Sequence, residues 1–287
     1  MKLSIITINY NNADGLRRTL ASIASQTYLD IEHIIVDAAS TDGSVDIIRE
    51  YENTIKRSVT IDKSTIQVTW ISESDKGIYA GMNKGIRKAT GDYIQILNSG
   101  DILAANDVTE RMVNEVERVS ELTNERVPIL YGNMIKQWPD GKHIVDRCKV
   151  GSLSMLSFYH GMLNHDSAYI RRDLFEKFGL YDESLKIVSD WKWFLQAIPL
   201  GGITPVYVDI DVTVFDMTGV SESNTAFWKE ERRPVLEELV PPMILADYDK
   251  YGEDMRMMDR LRRHHMHGLV RFIERVLFKL EKWHIFK

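Results

Sequence analysis

One cysteine, Cys148, stands in 287 residues, which excludes an intrachain disulfide and a cysteine-based zinc site and reads as a buried spectator thiol, not a nucleophile. No apolar run reaches 18 residues, which excludes a membrane-spanning helix. The first strand pattern begins almost at Met1 and leaves no room for a signal peptide, so a cytoplasmic protein is expected. No internal repeat and no low-complexity linker is present. No Gly-x-Gly-x-x-Gly fingerprint or phosphate-cradling glycine loop follows the first strand, which counts against an NAD-dependent dehydrogenase and a nucleotidyltransferase. What is there is 44% hydrophobic content, enough for a substantial core. The formal charge of −6 is unevenly spread. Residues 255–287 carry nine Lys and Arg against three acids, a net of +6, while the other 254 residues carry 27 against 39, a net of −12. An acidic body argues against nucleic-acid binding, and a basic tail points to an anionic partner.

Short apolar runs alternate with helical patterns in the first hundred residues. Strands are predicted at 2–8, 31–37, 67–71 and 92–97, and helices near 14–26, 44–52 and 77–90, the last stopping at a left-handed Gly91. Such βαβ alternation implies a mostly parallel sheet flanked by helices. The polar segment 51–65 reads as an irregular surface insertion. Further on, the patterns predict a helix near 105–122 and a hairpin whose first strand is 129–138, turning at Pro139-Asp140-Gly141-Lys142. A short helix at 171–178, a helix starting near Ser189, two strands at 205–210 and 212–216, and a loop at 218–224 follow. From 225 onwards the reading is helical, broken at Pro234 and at Pro241-Pro242. The division is therefore an α/β domain over 1–224 and a helical C-terminal extension over 225–287.

The most telling stretch is Leu97-Asn98-Ser99-Gly100-Asp101, an acid just past the strand Asp92-Tyr93-Ile94-Gln95-Ile96-Leu97. Ligands of open α/β sheets bind at the carboxyl ends of strands, so Asp101 is placed to hold a divalent cation against a phosphate. Asn98-Ser99-Gly100-Asp101 is also ordinary turn chemistry. Three more stretches stand in order around it: Leu3-Ser4-Ile5-Ile6-Thr7-Ile8-Asn9-Tyr10, Ile34-Ile35-Val36-Asp37-Ala38-Ala39-Ser40, and Ser74-Asp75-Lys76-Gly77-Ile78-Tyr79-Ala80-Gly81-Met82-Asn83. Together the four resemble the nucleotide-sugar half of the inverting family 2 glycosyltransferases of the GT-A fold, in particular the bacterial subgroup of capsule, colanic acid and exopolysaccharide pathways. The resemblance covers about a hundred residues. It implies a nucleotide-sugar half at 1–101 and an acceptor half at 102–224. It also implies transfer of a sugar from a nucleoside diphosphate donor, UDP-sugar favoured and GDP-sugar the alternative, to a lipid-linked or oligosaccharide acceptor. A non-catalytic nucleotide-sugar-binding or scaffold protein is the rival reading.

Such a transferase must bind base and ribose, neutralise a departing diphosphate and deprotonate an acceptor hydroxyl. Thr7, Asn9 and Tyr10 leave the first strand with a hydroxyl, an amide and a ring to cup the base, although Tyr10 also suits half-buried packing. Asp37 ends the second strand and is an acceptor for base or ribose. Where the family usually shows a further acid or glycine, Ala38 and Ala39 follow. The resemblance places Asp75 by the nucleotide and Lys76 by ribose or phosphates; a solvated turn pair is the alternative. Asn83 shares a helix face with Tyr79 at i+4 and is expected to fix the nucleotide loop. Asn98-Ser99-Gly100-Asp101 keeps only the last acid of the family's Asp-x-Asp-Asp, with Asn98 and Ser99 as substrate contacts. One carboxylate with phosphate oxygens and water can hold Mn2+ or Mg2+, weakly without nucleotide.

Asp190, in Val188-Ser189-Asp190-Trp191, suits a helix N-terminus on its own, where a carboxylate offsets the dipole. The resemblance aligns it with the family's catalytic base, and a base opposite the leaving group permits single in-line displacement with inversion. His165 resembles a histidine that precedes this base, with a structural histidine as the alternative. The family's downstream Gln-x-x-Arg-Trp is absent, which argues against a processive synthase. His264, His265 and His267 read as solvated. In 269–287, Leu269, Phe272, Ile273, Val276, Leu280 and Trp283 form an apolar stripe beside a basic face. That pattern fits a helix lying on an inner-leaflet membrane surface, one packed on the protein's own core, or the contact of a homo-oligomer.

Overall fold

Apolar residues on both faces of a strand call for a sheet covered on both sides. Strands β1 (Leu3–Asn9), β2 (Ile31–Asp37) and β4 (Tyr93–Ile96) have that character and are buried almost throughout, whereas β3 (Gln67–Ser72) is largely accessible and forms the edge. The computed structural model describes residues 1–57, 66–147, 153–218, 225–263 and 267–282. These four strands pair in parallel, in the order β3-β2-β1-β4. Helices α1 (Ala13–Ala24), α2 (Ser44–Arg57) and α3 (Ile78–Lys88) make the crossovers. The Asn12 side chain caps α1 by accepting from the Gly15 N–H, and Leu16, Leu20 and Ile23 bury one face of that helix.

The second half adds β5 (Ile102–Leu103), α4 (Val108–Thr123), β6 (Ile129–Gln137), β7 (His143–Asp146), α5 (Met155–His160), β8 (Ala168–Arg171), α6 (Asp173–Phe178), α7 (Ser189–Leu195) and β9 (Val206–Asp216). A π-helical turn, Gln196–Leu200, extends α7. The sheet continues β4-β8-β6-β9-β5, with β7 hairpinned onto β6. β8 runs antiparallel to β4 and β6, and β9 parallel to β6, so the sheet is parallel throughout in its first half, β1 to β4, and mixed in its second. The chain leaves β1 towards β2 and leaves β4 towards the other edge. Such a reversal of winding opens a crevice at the strands' carboxyl ends, where the loops after Asn9 and Leu97 lie. α4 closes one face of the core with Val108, Met112, Val113 and Val116, in a cluster that includes Leu130 and Val212.

Several expected elements differ. α3 ends at Lys88 with Ala89 extended, and Gly91 is not left-handed. Gly91 is instead a close-approach residue: a Cβ there would lie 2.5 Å from Ser4 Oγ and 2.8 Å from Ser4 N. The expected insertion at 51–65 is helical through Arg57, because Tyr51 is buried in the core; 58–65 lie outside the described residues. The two strands at 205–210 and 212–216 are one strand, β9. The polar break at Asp211 is accommodated by a register irregularity opposite Asn133, whose amide donates to Asp209 Oδ1 at 2.9 Å and Asp211 Oδ1 at 2.8 Å. Pro234 does not break α8 (Thr225–Leu239), since one missing N–H costs one backbone bond while the turns on either side remain. Pro242 opens α9 (Pro242–Arg263), a position where the missing N–H is harmless, and α10 (His267–Lys282) follows.

By its internal contacts the chain divides into two units, Met1–Val235 and Leu236–Lys287. Among the described residues no helix is long and apolar enough to cross a membrane. Cys148, the loop from 219 to 224, His264 and His265 lie outside the described residues, as do the side chains of His267, Leu269, Leu280 and Trp283.

Candidate active site

Two loops clamp each other at the carboxyl ends of β1 and β2. Asn9 Nδ2 donates to Asp37 Oδ1 at 2.8 Å, and Asp37 also accepts from Ser40 Oγ (2.6 Å), Ser40 N (3.0 Å) and Ser72 Oγ (2.6 Å). Burial alone would raise the Asp37 pKa, but these hydrogen bonds outweigh it and hold the carboxyl below its ordinary value. Its acceptor positions are thus filled by protein, and a base or ribose reaches it only by displacing one of them. The Asn11 backbone N–H donates to Ser40 Oγ at 2.8 Å, and the Thr41 N–H to Asn11 Oδ1 at 2.8 Å. Asn11 (φ 47°) and Ala39 (φ 57°) are both left-handed, a conformation Asn tolerates and Ala does not favour. Such strain persists because the loop is held from both sides. Tyr10 stands on the open side of this loop, 66% exposed. Thr7 does not: it is buried, and its hydroxyl pairs with His33 Nε2 at 3.0 Å, His33 Nδ1 pairing in turn with the Tyr51 hydroxyl at 2.9 Å.

Asp75 and Lys76 lie between β3 and α3, and Asp75 Oδ1 accepts from the Gly77 N–H at 3.1 Å. Asn83 is buried away from the nucleotide loop. Its Nδ2 donates to the Tyr181 carbonyl and Glu183 Oε1, each at 2.9 Å, and its Oδ1 accepts from the Tyr181 N–H at 3.0 Å. It therefore fastens the segment that leads into α7, not the nucleotide loop.

Beyond β4, Asn12 Nδ2 donates to the Ser99 carbonyl at 2.9 Å, and Gly100 (φ 112°) turns the chain so that its N–H donates to Thr19 Oγ1 at 3.0 Å. This turn sends Asp101 inward, 4% exposed, its Oδ1 accepting from the Asp216 N–H at 2.9 Å. Burial and the neighbouring Asp166 carboxyl push the Asp101 pKa well above its usual range. A carboxyl so placed gains from any cation that arrives beside it.

Asp190 opens α7 and is also buried. Its Oδ1 accepts from the Tyr79 hydroxyl at 2.8 Å, and its Oδ2 pairs with His165 Nδ1 at 2.9 Å. Burial would raise its pKa, yet the His165 hydrogen bond and charge lower it. Burial would likewise lower that of His165, but Asp190, with Asp166 and Asp101 behind it, raises it to about 9. The pair is therefore imidazolium and carboxylate at neutral pH. His165 Nε2 lies 3.4 Å from Asn98 Nδ2, and with the ring doubly protonated both are donors, so in this amide orientation they are neighbours and share no hydrogen bond.

The structure thus brings together Asn98, Asp101, His165 and Asp190, and gathers Asn9, Tyr10 and Asp37 at the adjoining strand ends. Sequence reasoning missed Tyr79 as a partner of Asp190, and Asp166 as the second carboxyl beside Asp101. Tyr79 left a signal in its i+4 spacing to Asn83, and Asp166 in its adjacency to His165. It also missed Arg232, buried between the rings of Trp191 and Trp228.

Residues 4–177 match the family model described as glycosyl transferase family 2. An uncharacterised glycosyltransferase of Mycobacterium tuberculosis (strain CDC 1551 / Oshkosh) is 31% identical over 226 residues, 76% of either chain. A PGL/p-HBAD biosynthesis glycosyltransferase of Mycobacterium bovis (strain BCG) is 27% identical over 79% of this chain and 81% of its own. Among solved structures, S. aureus TarS 1–349 in complex with UDP superposes with a TM-score of 0.56 at 18% identity, over 75% of this chain and 60% of that one. The mannosyltransferase PcManGT from Pyrobaculum calidifontis, in complex with GDP-Man and Mn2+, superposes with a TM-score of 0.55 at 19% identity, over 75% and 56%. This chain thus spans three fifths or less of both structures, and what it shares with them is the GT-A fold.

Proposed function

The chain belongs to glycosyl transferase family 2 and is a glycosyltransferase, and on that premise we propose that it moves one sugar, with inversion, from a nucleoside diphosphate donor to a hydroxyl of a lipid-linked or oligosaccharide acceptor in cell-surface polysaccharide assembly. The observation that carries this reading is the pair of part-buried His165 and buried Asp190 set beside Asp101 at the end of the parallel sheet. In it, residues 1–101 bind the donor and 102–224 the acceptor. Asn9, Tyr10, Asp37, Asp75 and Lys76 line the nucleotide side, UDP-sugar favoured and GDP-sugar the alternative. Asp190 accepts the acceptor's hydroxyl proton, a step that requires the hydroxyl to take the place of the Tyr79 hydrogen bond on Oδ1. The charge of His165 keeps Asp190 ionised and orients it, and the mutual position of acceptor oxygen and sugar carbon supplies the rest of the rate.

Among the described residues no cluster of three or more His, Cys, Asp or Glu side chains is arranged to hold a metal. Asp101, with one oxygen on the Asp216 N–H and a pKa raised by burial, fits a cation that arrives with the diphosphate better than a resident one. When bound there, Mn2+ or Mg2+ supplies charge stabilisation for the departing diphosphate. The reading is tested by thermal shift with UDP-, GDP-, CDP- and dTDP-sugars, with and without Mn2+, since only a ligand of the native state raises Tm. A metal-dependent rise with one base supports it, and no rise with any of them overturns it.

The tail supports a membrane-surface role for α10. Phe272, Ile273, Val276, Leu277 and Phe278 are all exposed there, flanked by exposed Arg271 and Arg275. Aromatic rings at headgroup depth with arginines on anionic lipid would keep the site near a lipid-linked acceptor. Co-sedimentation with anionic and neutral vesicles, comparing the full chain with one ending at Met255, tests this. Equal recovery of both in the supernatant removes the membrane role and leaves a homo-oligomer contact or packing on the protein's own core.

A further inference from the structure

Arg232 is clamped between two indoles: its guanidinium carbon lies 3.5 Å from the ring centroid of Trp228 and 4.1 Å from that of Trp191. Helical spacing accounts for one ring, since Trp228 and Arg232 are i and i+4 on α8. The other follows Asp190 directly and is held by its Nε1–H donating to the Phe158 carbonyl at 2.9 Å. The arginine is 3% exposed, and Nη2 donates to the Gly161 carbonyl. Among the described residues Nε and Nη1 have no hydrogen-bond partner.

A guanidinium covered on both faces can meet partners only in its own plane, and here two donors in that plane are unused. The stacked rings offset part of the cost of burying the charge but satisfy no N–H. The carboxylate whose charge reaches Arg232 is Asp190, and both Asp190 oxygens already accept, from Tyr79 and from His165. Burial lowers the Arg232 pKa to about 9, so the group is still a cation at neutral pH. A buried cation with orphan donors beside a reaction site is matched by an anion with several acceptor oxygens pointing in different directions, the chemistry of phosphate.

We propose that Arg232 is a phosphate receptor on the acceptor side of the site, its Nε–H and Nη1–H donating to oxygens of a bound diphosphate. This rests on the glycosyltransferase reading above and deepens it. The phosphate belongs either to the nucleotide donor or to a lipid diphosphate acceptor. The test is calorimetric titration of the full chain and of Arg232→Met and Arg232→Lys with UDP and GDP plus Mn2+, with farnesyl diphosphate, and with inorganic pyrophosphate. Removing charge-assisted hydrogen bonds corresponds to an affinity loss of about 10- to 100-fold in the Met variant, partly restored by Lys. A loss with UDP or GDP assigns the receptor to the donor, and a loss confined to farnesyl diphosphate assigns it to the acceptor. If wild type binds pyrophosphate but neither nucleotide, and Arg232→Met loses it, the receptor stands while the nucleotide-sugar reading fails. Unchanged affinities in Arg232→Met, or no binding of any probe to wild type, overturn the proposal. Unfolding of the ligand-free proteins checks the fold: Arg232→Met gives up the Gly161 hydrogen bond and the ring contacts but also removes a buried charge, so a modest change in Tm is expected, whereas a Tm loss of many degrees with unchanged affinities assigns Arg232 to packing alone.

Discussion

His165 Nδ1 and Asp190 Oδ2 lie 2.9 Å apart in a part-buried ion pair that links the segment after α5 to the start of α7. The pair sets the charge state of the proposed base and makes its stability depend on pH.

The His165 pKa is raised from 6.5 to about 9, so its stabilising contribution is complete below pH 6.5 and lost as pH rises through about 9. That of Asp190 is lowered, so its contribution is present above its ordinary value of 3.8 and lost as pH falls through the depressed one. His165→Ala, which leaves a buried carboxylate unpaired, should cost about 3–5 kcal/mol near pH 6. Denaturant unfolding of both proteins from pH 5 to 10 should show that gap closing on the alkaline side; a constant gap would mean that His165 acts by packing alone.

Asp190→Asn keeps a side chain that still bonds Tyr79 but cannot take a proton. Turnover should fall by about 10² to 10⁴ with donor affinity unchanged, the contribution of a positioned base. Near-normal turnover on the true acceptor would return Asp190 to the role of a helix-start carboxylate.

For Asp101 the sign is opposite. Its raised pKa means that ionisation costs stability as pH rises past the ordinary carboxyl range. Asp101→Asn retains an acceptor for the Asp216 N–H and removes the crowding with Asp166. The ligand-free variant should therefore melt at or above the wild-type temperature while losing the Mn2+-dependent part of UDP or GDP affinity. Calorimetry with and without Mn2+ decides the second point: unchanged metal-dependent affinity takes Asp101 out of the site.

Ala39 holds φ 57° in the loop after β2. A left-handed Ala costs about 1–2 kcal/mol, and Gly in its place gives back roughly 0.5–1 kcal/mol through a freer unfolded chain. Ala39→Gly should stabilise by about 1 kcal/mol or less, roughly 2–4 °C in Tm for a full 1 kcal/mol. A fall in Tm would mean that the Ala39 methyl is engaged in packing.

The apolar runs of β1, β2 and β4, the buried face of α1 and the strand-end positions of Asp37 and Asp101 were legible in the sequence, because periodicity and strand ends depend on neighbours along the chain. So was the βαβ order, which makes the first half parallel and puts the carboxyl ends of its strands at the loops after Asn9 and Leu97. The sequence also carried the family, through motifs that each occupy one loop. Only the tertiary structure decided which side chains meet. Tyr79 reaches Asp190 across 111 residues and His165 across 25, because β8 inserts between β4 and β6, an arrangement no local pattern encodes. The same packing turned Thr7 inward to His33, used Asn83 to hold the segment before α7, and ran one strand through Asp211 and one helix through Pro234. Arg232 shows the difference most directly: its spacing to Trp228 is local, but its second ring belongs to the residue after Asp190, and only packing of α8 against α7 could bring the two together.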